Sequence, residues 1–259
     1  MVYYLTHKRM RKLIFCIVTV LFASTCKKEN SVLPGQVKDE KTQTSSPADF
    51  LSSANYDKLI VQIVYEAGSP PAQTAVINLT SFLQQRLNKP SGIQILQQSI
   101  SPQGKTVLSL DDIKALEKTN RAANTAERVL TAYIFFANGD YDQNSGNKKV
   151  LGIAYGFSSI VIFDKTIHDV SGGLGQPSIS SVETSVVEHE FGHVMGLVNN
   201  GVAMASPHQD EANGRHCNNK DCLMYYATET SDMIANLVNS NVPTLDANCL
   251  NDLKAAGGK

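Results

Sequence analysis

The 259-residue sequence contains no tryptophan, only five cysteines and almost no charge imbalance. The missing tryptophan excludes nothing by itself. A formal net charge of -1 removes the electrostatic case for nucleic acid, which needs a basic stripe or module absent here. No internal repeat is visible. The apolar run over residues 13–23 is too short to cross a bilayer as a helix. What remains is an ordinary globular composition, 42% hydrophobic, enough for one domain with a real core.

The amino-terminal segment reads as an address rather than as structure. His7, Lys8, Arg9, Arg11 and Lys12 form a basic head before the apolar run, the pattern of a secretory signal over residues 1–25. It ends in Ala23-Ser24-Thr25-Cys26, which resembles a lipobox. The polar run Lys27-Lys28-Glu29-Asn30 after it resembles lipoprotein signals of the Bacteroidetes type. That resemblance implies lipidation of Cys26 and an outer-membrane or cell-surface lipoprotein attached to the membrane by its lipid. The alternative is a periplasmic or secreted protein. Residues 26–54 are rich in Ser, Thr, Lys, Gln and Asp, with Pro34, Gly35 and Pro47, and read as a flexible linker. The folded domain is expected over residues 55–259.

Within that domain, residues 59–65 are a strand by their β-branched content. A helix over residues 75–87 follows, with Val76, Leu79, Phe82 and Leu83 at helical spacing. Residues 93–96 read as a short strand, and Ser109 opens a helix running toward Glu127. Residues 129–137 are apolar almost throughout and therefore central in a sheet. Two further strands are expected over 150–155 and 159–163. Ser180-Ser181-Val182-Glu183 is a capping-box pattern expected to start a helix that reaches about Leu197. A last helix is expected over 246–255. The order is that of an α+β fold with a mostly parallel sheet.

The chemistry is concentrated in His189-Glu190-Phe191-Gly192-His193. Positions four apart on a helix lie about 40° apart, so His189 and His193 aim their imidazoles at one point. That geometry suits two nitrogen ligands of a tetrahedral zinc ion. Glu190 is placed to take a proton from water bound to such an ion. The bland reading, a structural helix with two satisfied histidines, requires an uncommon motif to arise by chance.

The longer run through Val194, Met195 and Gly196 resembles the metzincin clan of zinc peptidases, whose motif continues His-Glu-x-x-His-x-x-Gly-x-x-His. Gly196 matches. Asn199 stands where the third histidine falls. Further on, His216-Cys217-Asn218-Asn219-Lys220-Asp221-Cys222-Leu223-Met224-Tyr225-Tyr226 resembles the archaemetzincin pattern His-Cys-x4-Cys-x-Met. The resemblance implies one catalytic zinc held by His189, His193 and His216, with an insertion over residues 198–215. His208 is the alternative third ligand, and Asn199 a poor one. It also implies a Met-turn at Met224 beneath the metal, and a role for Tyr226 in stabilising the oxyanion. The fold implied is metzincin-like: a five-stranded, mostly parallel sheet whose antiparallel edge strand, residues 151–155, borders the cleft and receives an extended peptide.

Archaemetzincins place cysteines around a second zinc, but a four-cysteine site cannot be built from Cys217, Cys222 and Cys249. A Cys217–Cys222 disulfide is expected instead in an exported chain. Asp140-Tyr141-Asp142-Gln143-Asn144-Ser145-Gly146 resembles a Ca2+ loop with its glycine one place late, and reads otherwise as a polar turn. Gly172-Gly173-Leu174-Gly175 reads as a flexible lead-in to the site helix. The expectation is a monomeric zinc endopeptidase acting on protein or peptide. Its rival is a non-catalytic binding or adhesion lipoprotein that keeps the fold.

Overall fold

The computed structural model describes residues 45–146, 148–237 and 242–259. The signal segment, Cys26 and the linker up to residue 44 lie outside the described residues. In chain order the elements are α1 (Pro47–Leu51), β1 (Lys58–Glu66), α2 (Gln73–Arg86), β2 (Ile93–Ile100), β3 (Val107–Leu108), α3 (Leu110–Asn120), β4 (Val129–Phe136) and β5 (Asp140–Tyr141). Then come β6 (Gly152–Tyr155), β7 (Ser159–Ile162), α4 (Asp164–Val170) and α5 (Ile179–Val194). Two 3-10 turns (Tyr226–Glu229 and Ser231–Met233), α6 (Ile234–Leu237) and α7 (Ala247–Ala255) follow. No helix among the described residues is long and apolar enough to cross a membrane.

The main sheet has the order β2-β1-β4-β7-β6. Every pairing is parallel except β6 with β7, which is antiparallel and leaves β6 at the edge. The α+β class, the five strands and the antiparallel edge strand agree with the sequence reading. β4 is apolar on both faces because both are covered. Leu130, Ala132, Ile134 and Phe136 face the core shared with α2 and α5, while Tyr133 and Phe135 face a second core closed by Ile113 of α3. β2, at the other edge, is half-buried first on one face at Ile93 and Ile95 and then on the other at Ile100. β3 and β5 pair apart from it as a two-stranded parallel sheet.

α5 is the pivot of the fold. From Val182 to Val194 each residue is buried, so the helix runs through the interior between α2 and the sheet edge. Its amino terminus corrects the sequence reading. Ser178, not Ser180, is the cap, its hydroxyl accepting the Ser181 N–H at 3.1 Å. Glu183 therefore lies inside the helix, where its carboxylate accepts the Ala72 N–H at 2.7 Å. The helix ends at Val194 rather than near Leu197, because Gly196 adopts φ 82° and turns the chain. A side chain there would meet Pro47, and only glycine takes this conformation at little cost. The Gly172–Gly175 lead-in is also fixed locally, with the Gly172 N–H donating to Pro177 O at 2.8 Å.

Three other boundaries move. α3 stops at Asn120, seven residues short of Glu127, where Arg121 turns extended and joins Glu117. β2 runs on to Ile100 because it pairs with β1 along its length. The linker expected to reach residue 54 ends earlier, since α1 is part of the domain. Phe50 and Leu51 are fully buried, and Phe50 stands edge-on to Phe191 of α5 at 6.0 Å. Lys89 secures this segment, its ammonium donating to the carbonyls of Asp49, Ser52 and Tyr56 at 2.6, 2.5 and 2.8 Å. Burial pulls its pKa down to about 8.

Candidate metal centre

α5 delivers His189 and His193 to one point as their spacing requires, with their Nε2 atoms 3.1 Å apart. The loop after Gly196 returns to the same place and brings in His216. Its ring stacks on His189 at 5.3 Å between centroids and meets His193 edge-on at 5.0 Å. Two of the three outer nitrogens are oriented by the backbone. His189 Nδ1 donates to Leu223 O at 2.7 Å and His216 Nδ1 donates to Asn213 O at 3.0 Å. A donating Nδ1 leaves the Nε2 lone pair free, which is how ligand histidines are usually set. Asn200 Nδ2 steadies the end of the helix by donating to His193 O at 2.9 Å.

Burial keeps His189 and His193 neutral. It depresses His189 to about 4, aided by the neighbouring His216. His193 is likewise pushed well below its ordinary value, by burial and then by the other two imidazoles. Burial opposes charge on His216 too, but the Glu229 carboxylate outweighs it and the net shift is upward. Neutral imidazole is the form that binds metal. Buried lone pairs converging without a protein donor fit a divalent cation of the zinc type, and His216 Nε2 is one such buried atom without a hydrogen bond.

Glu190 is fully buried beside the histidines. One carboxylate oxygen accepts the Ala154 N–H of β6 at 2.6 Å, and the other has no hydrogen-bond partner among the described residues. Burial, then the charge of Glu229, raises its pKa well above the usual carboxylate range. β6 can approach α5 this closely because Gly152 has no side chain. A Cβ there would lie 2.6 Å from Val186 Cγ1 and 2.9 Å from Glu190 Cγ. Met224 is fully buried under the centre, and its sulfur fills the space that a Cβ on Gly192 would take.

A cleft of about 410 Å³ opens onto Glu190, His193 and His216. Gly152, Ile153 and Ala154 of β6 form one wall, and Asn213, Arg215 and Tyr226 contribute elsewhere. The Tyr226 ring packs on Tyr225 at 4.6 Å, with Lys148 Nζ 5.2 Å from its centroid.

Glu229 is the residue that sequence reasoning missed. Its carboxylate lies 3.4 Å from His216 Nε2, 3.8 Å from His189 Nε2 and 3.9 Å from His193 Nε2. The only signal for it is that it is the first acidic residue after Met224.

The remaining candidates fall elsewhere. Asn199 is exposed, with φ 61°. His208 is remote from the three histidines in its contacts. It is buried with its Nε2 against Asp252 at 2.8 Å, and its Nδ1 lies 3.5 Å from Cys217 Sγ and 3.9 Å from Cys249 Sγ. The expected Cys217–Cys222 disulfide is not formed: Cys217, Cys222 and Cys249 are all free and buried. Cys222 Sγ lies 3.6 Å from Cys249 Sγ, because α7 brings Cys249 onto the pair, and Cys217, Cys249 and Asp246 converge with His208. Hydrogen bonds from Cys217 and Cys249 drive Cys222 toward the thiolate, the form that binds metal. In the Asp140 loop two of the candidate residues are engaged within the protein: Asp140 accepts from Thr166 and Lys165, and Asn144 accepts the Val150 N–H.

No protein-family model matches this sequence, and neither does any curated protein. Among solved structures the fold is similar to archaemetzincin from Methanopyrus kandleri at 14% identity and a TM-score of 0.49. That likeness covers 78% of this chain and 96% of the other. It is also similar to metalloproteinase-II from Bacteroides fragilis at 13% identity and a TM-score of 0.44, over 86% of this chain and 57% of that one. The site chemistry belongs to this chain's own residues.

Proposed function

We propose that the protein is a zinc-dependent endopeptidase. The observation that carries this reading is the convergence of His189, His193 and His216 on one point, with the buried Glu190 carboxylate beside them and an open cleft in front. The three histidines would hold the ion through Nε2. Bound zinc supplies Lewis acidity and a water whose pKa is lowered toward neutrality. Glu190 would accept a proton from the attacking water and return it to the departing amine. Its burial raises its proton affinity, as a base working near neutral pH needs. The hydrogen bond from Ala154 holds the carboxylate in place. An extended substrate lies along β6, whose edge faces the cleft. Tyr226, on the cleft wall, is the candidate donor to the developing oxyanion. Export and anchoring through Cys26 belong to the same reading.

His208, Cys217, Asp246 and Cys249, whose ligand atoms lie within 4.8 Å of one another, support a second zinc ion with a structural role. An imidazole, two thiols and a carboxylate are all donors that zinc accepts, and Asp252 orients the imidazole from behind.

The test of hydrolysis is a pool of unstructured peptides incubated with the zinc-loaded protein and read by mass spectrometry. The wild type cleaves internal bonds. Glu190→Gln loses at least about 100-fold of that rate while keeping its zinc. A zinc-loaded wild type that cleaves nothing, or a Gln variant that cleaves equally well, would refute the peptidase reading and favour a binding protein.

A further inference from the structure

The Glu229 carboxylate has no part in the chemistry above, yet it sits among the three ligand nitrogens. In a tetrahedral site with donors about 2.0–2.1 Å from zinc, neighbouring donors are roughly 3.3 Å apart. The distance between His189 and His193 Nε2 is 3.1 Å, and the Glu229 oxygen lies 3.4, 3.8 and 3.9 Å from the three imidazoles. These are four of the six edges of a slightly opened tetrahedron, and the remaining two are within 4.8 Å. The fourth corner, which catalytic zinc sites keep for water or substrate, is held here by a side chain.

The backbone fixes where this side chain starts. Glu229 O accepts the Leu151 N–H at 2.8 Å, and Thr230 bridges to Val150, so the turn is tied to the root of β6. Among the described residues the side chain is held by the three imidazoles, with Lys148 attracting it as well, and it is 32% exposed toward the cleft. It can therefore rotate away without movement of the main chain.

We propose that Glu229 is a fourth protein ligand to the ion, closing the centre in the free protein until an incoming carbonyl or other ligand displaces it. The inference rests on the zinc reading of the three histidines. It makes the protein a peptidase with a built-in block on its own metal, carried by the residue rather than by a separate segment.

The experiment compares wild type, Glu229→Gln, Glu229→Ala and His189→Ala. It reads zinc affinity by competition with a chromophoric chelator. It also reads acetohydroxamate affinity from the visible spectrum of the cobalt-loaded proteins. The Glu229 variants are expected to hold zinc about tenfold or more less tightly and to bind acetohydroxamate at least about tenfold more tightly, since the corner is open. If both variants keep wild-type values in both measurements while His189→Ala loses the ion, Glu229 is not a ligand and the inference fails with the zinc reading intact. If His189→Ala keeps the same zinc as wild type, the zinc reading itself fails and takes the inference with it.

Discussion

At the scale of single residues, the site depends as much on missing side chains as on present ones. Gly192 lies one residue before His193, and the Met224 sulfur occupies the volume its Cβ would need. Alanine in a helix interior ordinarily gains up to about 1 kcal/mol over glycine. Overpacking a closed contact costs about 1–3 kcal/mol, and here Met224 is fully buried, so its sulfur must shift within packed surroundings. Gly192→Ala is therefore expected to lower the melting temperature and weaken zinc binding together. A higher melting temperature with unchanged zinc affinity would show that Met224 moves aside freely. His189, Glu190 and His193 were legible in the sequence because helical spacing alone sets their geometry. Glu229 was not, since its place depends on how a 3-10 turn docks against β6, which no local pattern encodes. The cysteines were misread because Cys249 reaches Cys222 only through the packing of α7.

At the scale of elements, α5 carries a second set of ionisable groups on its way through the core. Glu183 faces Asp164 of α4, with His168 Nε2 3.7 Å from Asp164. Burial, then the Asp164 charge, raises Glu183, and burial raises Asp164. At low pH both carboxyls are protonated in folded and unfolded chains, and neither costs stability. As pH rises through the ordinary carboxylate range, the unfolded chain releases protons that the fold retains, so stability falls with rising pH up to the raised folded values. Glu183→Gln keeps an acceptor for the Ala72 N–H and removes the titration. It is expected to flatten the decline of melting temperature from about pH 4.5 toward neutrality. An unchanged slope would mean that Glu183 is not the group responsible. The sequence showed α5 as a helix but placed Glu183 in its capping box, because the Ser178 start is visible only once Pro177 and the Gly172 turn are seen packed together.

At the scale of the whole molecule, the domain closes on its own amino-terminal edge. Polar composition made residues 26–54 read as linker, yet two buried apolar side chains and three bonds from Lys89 tie residues 47–56 to the core. Composition averages over such short segments, so Phe50 and Leu51 were lost among the serines. Phe50→Ala is expected to destabilise the domain by about 3–5 kcal/mol, measured by denaturant unfolding. A chain starting at residue 55 should unfold at lower temperature than one starting at residue 45. Equal stability of the two would return α1 to the linker. The antiparallel edge strand was expected only through the family resemblance, while the apolar run of β4 was legible as a central strand. The order β2-β1-β4-β7-β6 was not legible, because pairing between strands distant in the chain is set by packing.

The central claim is that His189, His193 and His216 hold one zinc ion while His208 belongs to a separate thiol site. Zinc content per chain, measured by native mass spectrometry on wild type, His216→Ala and His208→Ala, tests it most directly. The account predicts that each variant loses one ion relative to wild type, and that peptide hydrolysis disappears only with His216→Ala. Retention of all zinc and of hydrolysis by His216→Ala would contradict it.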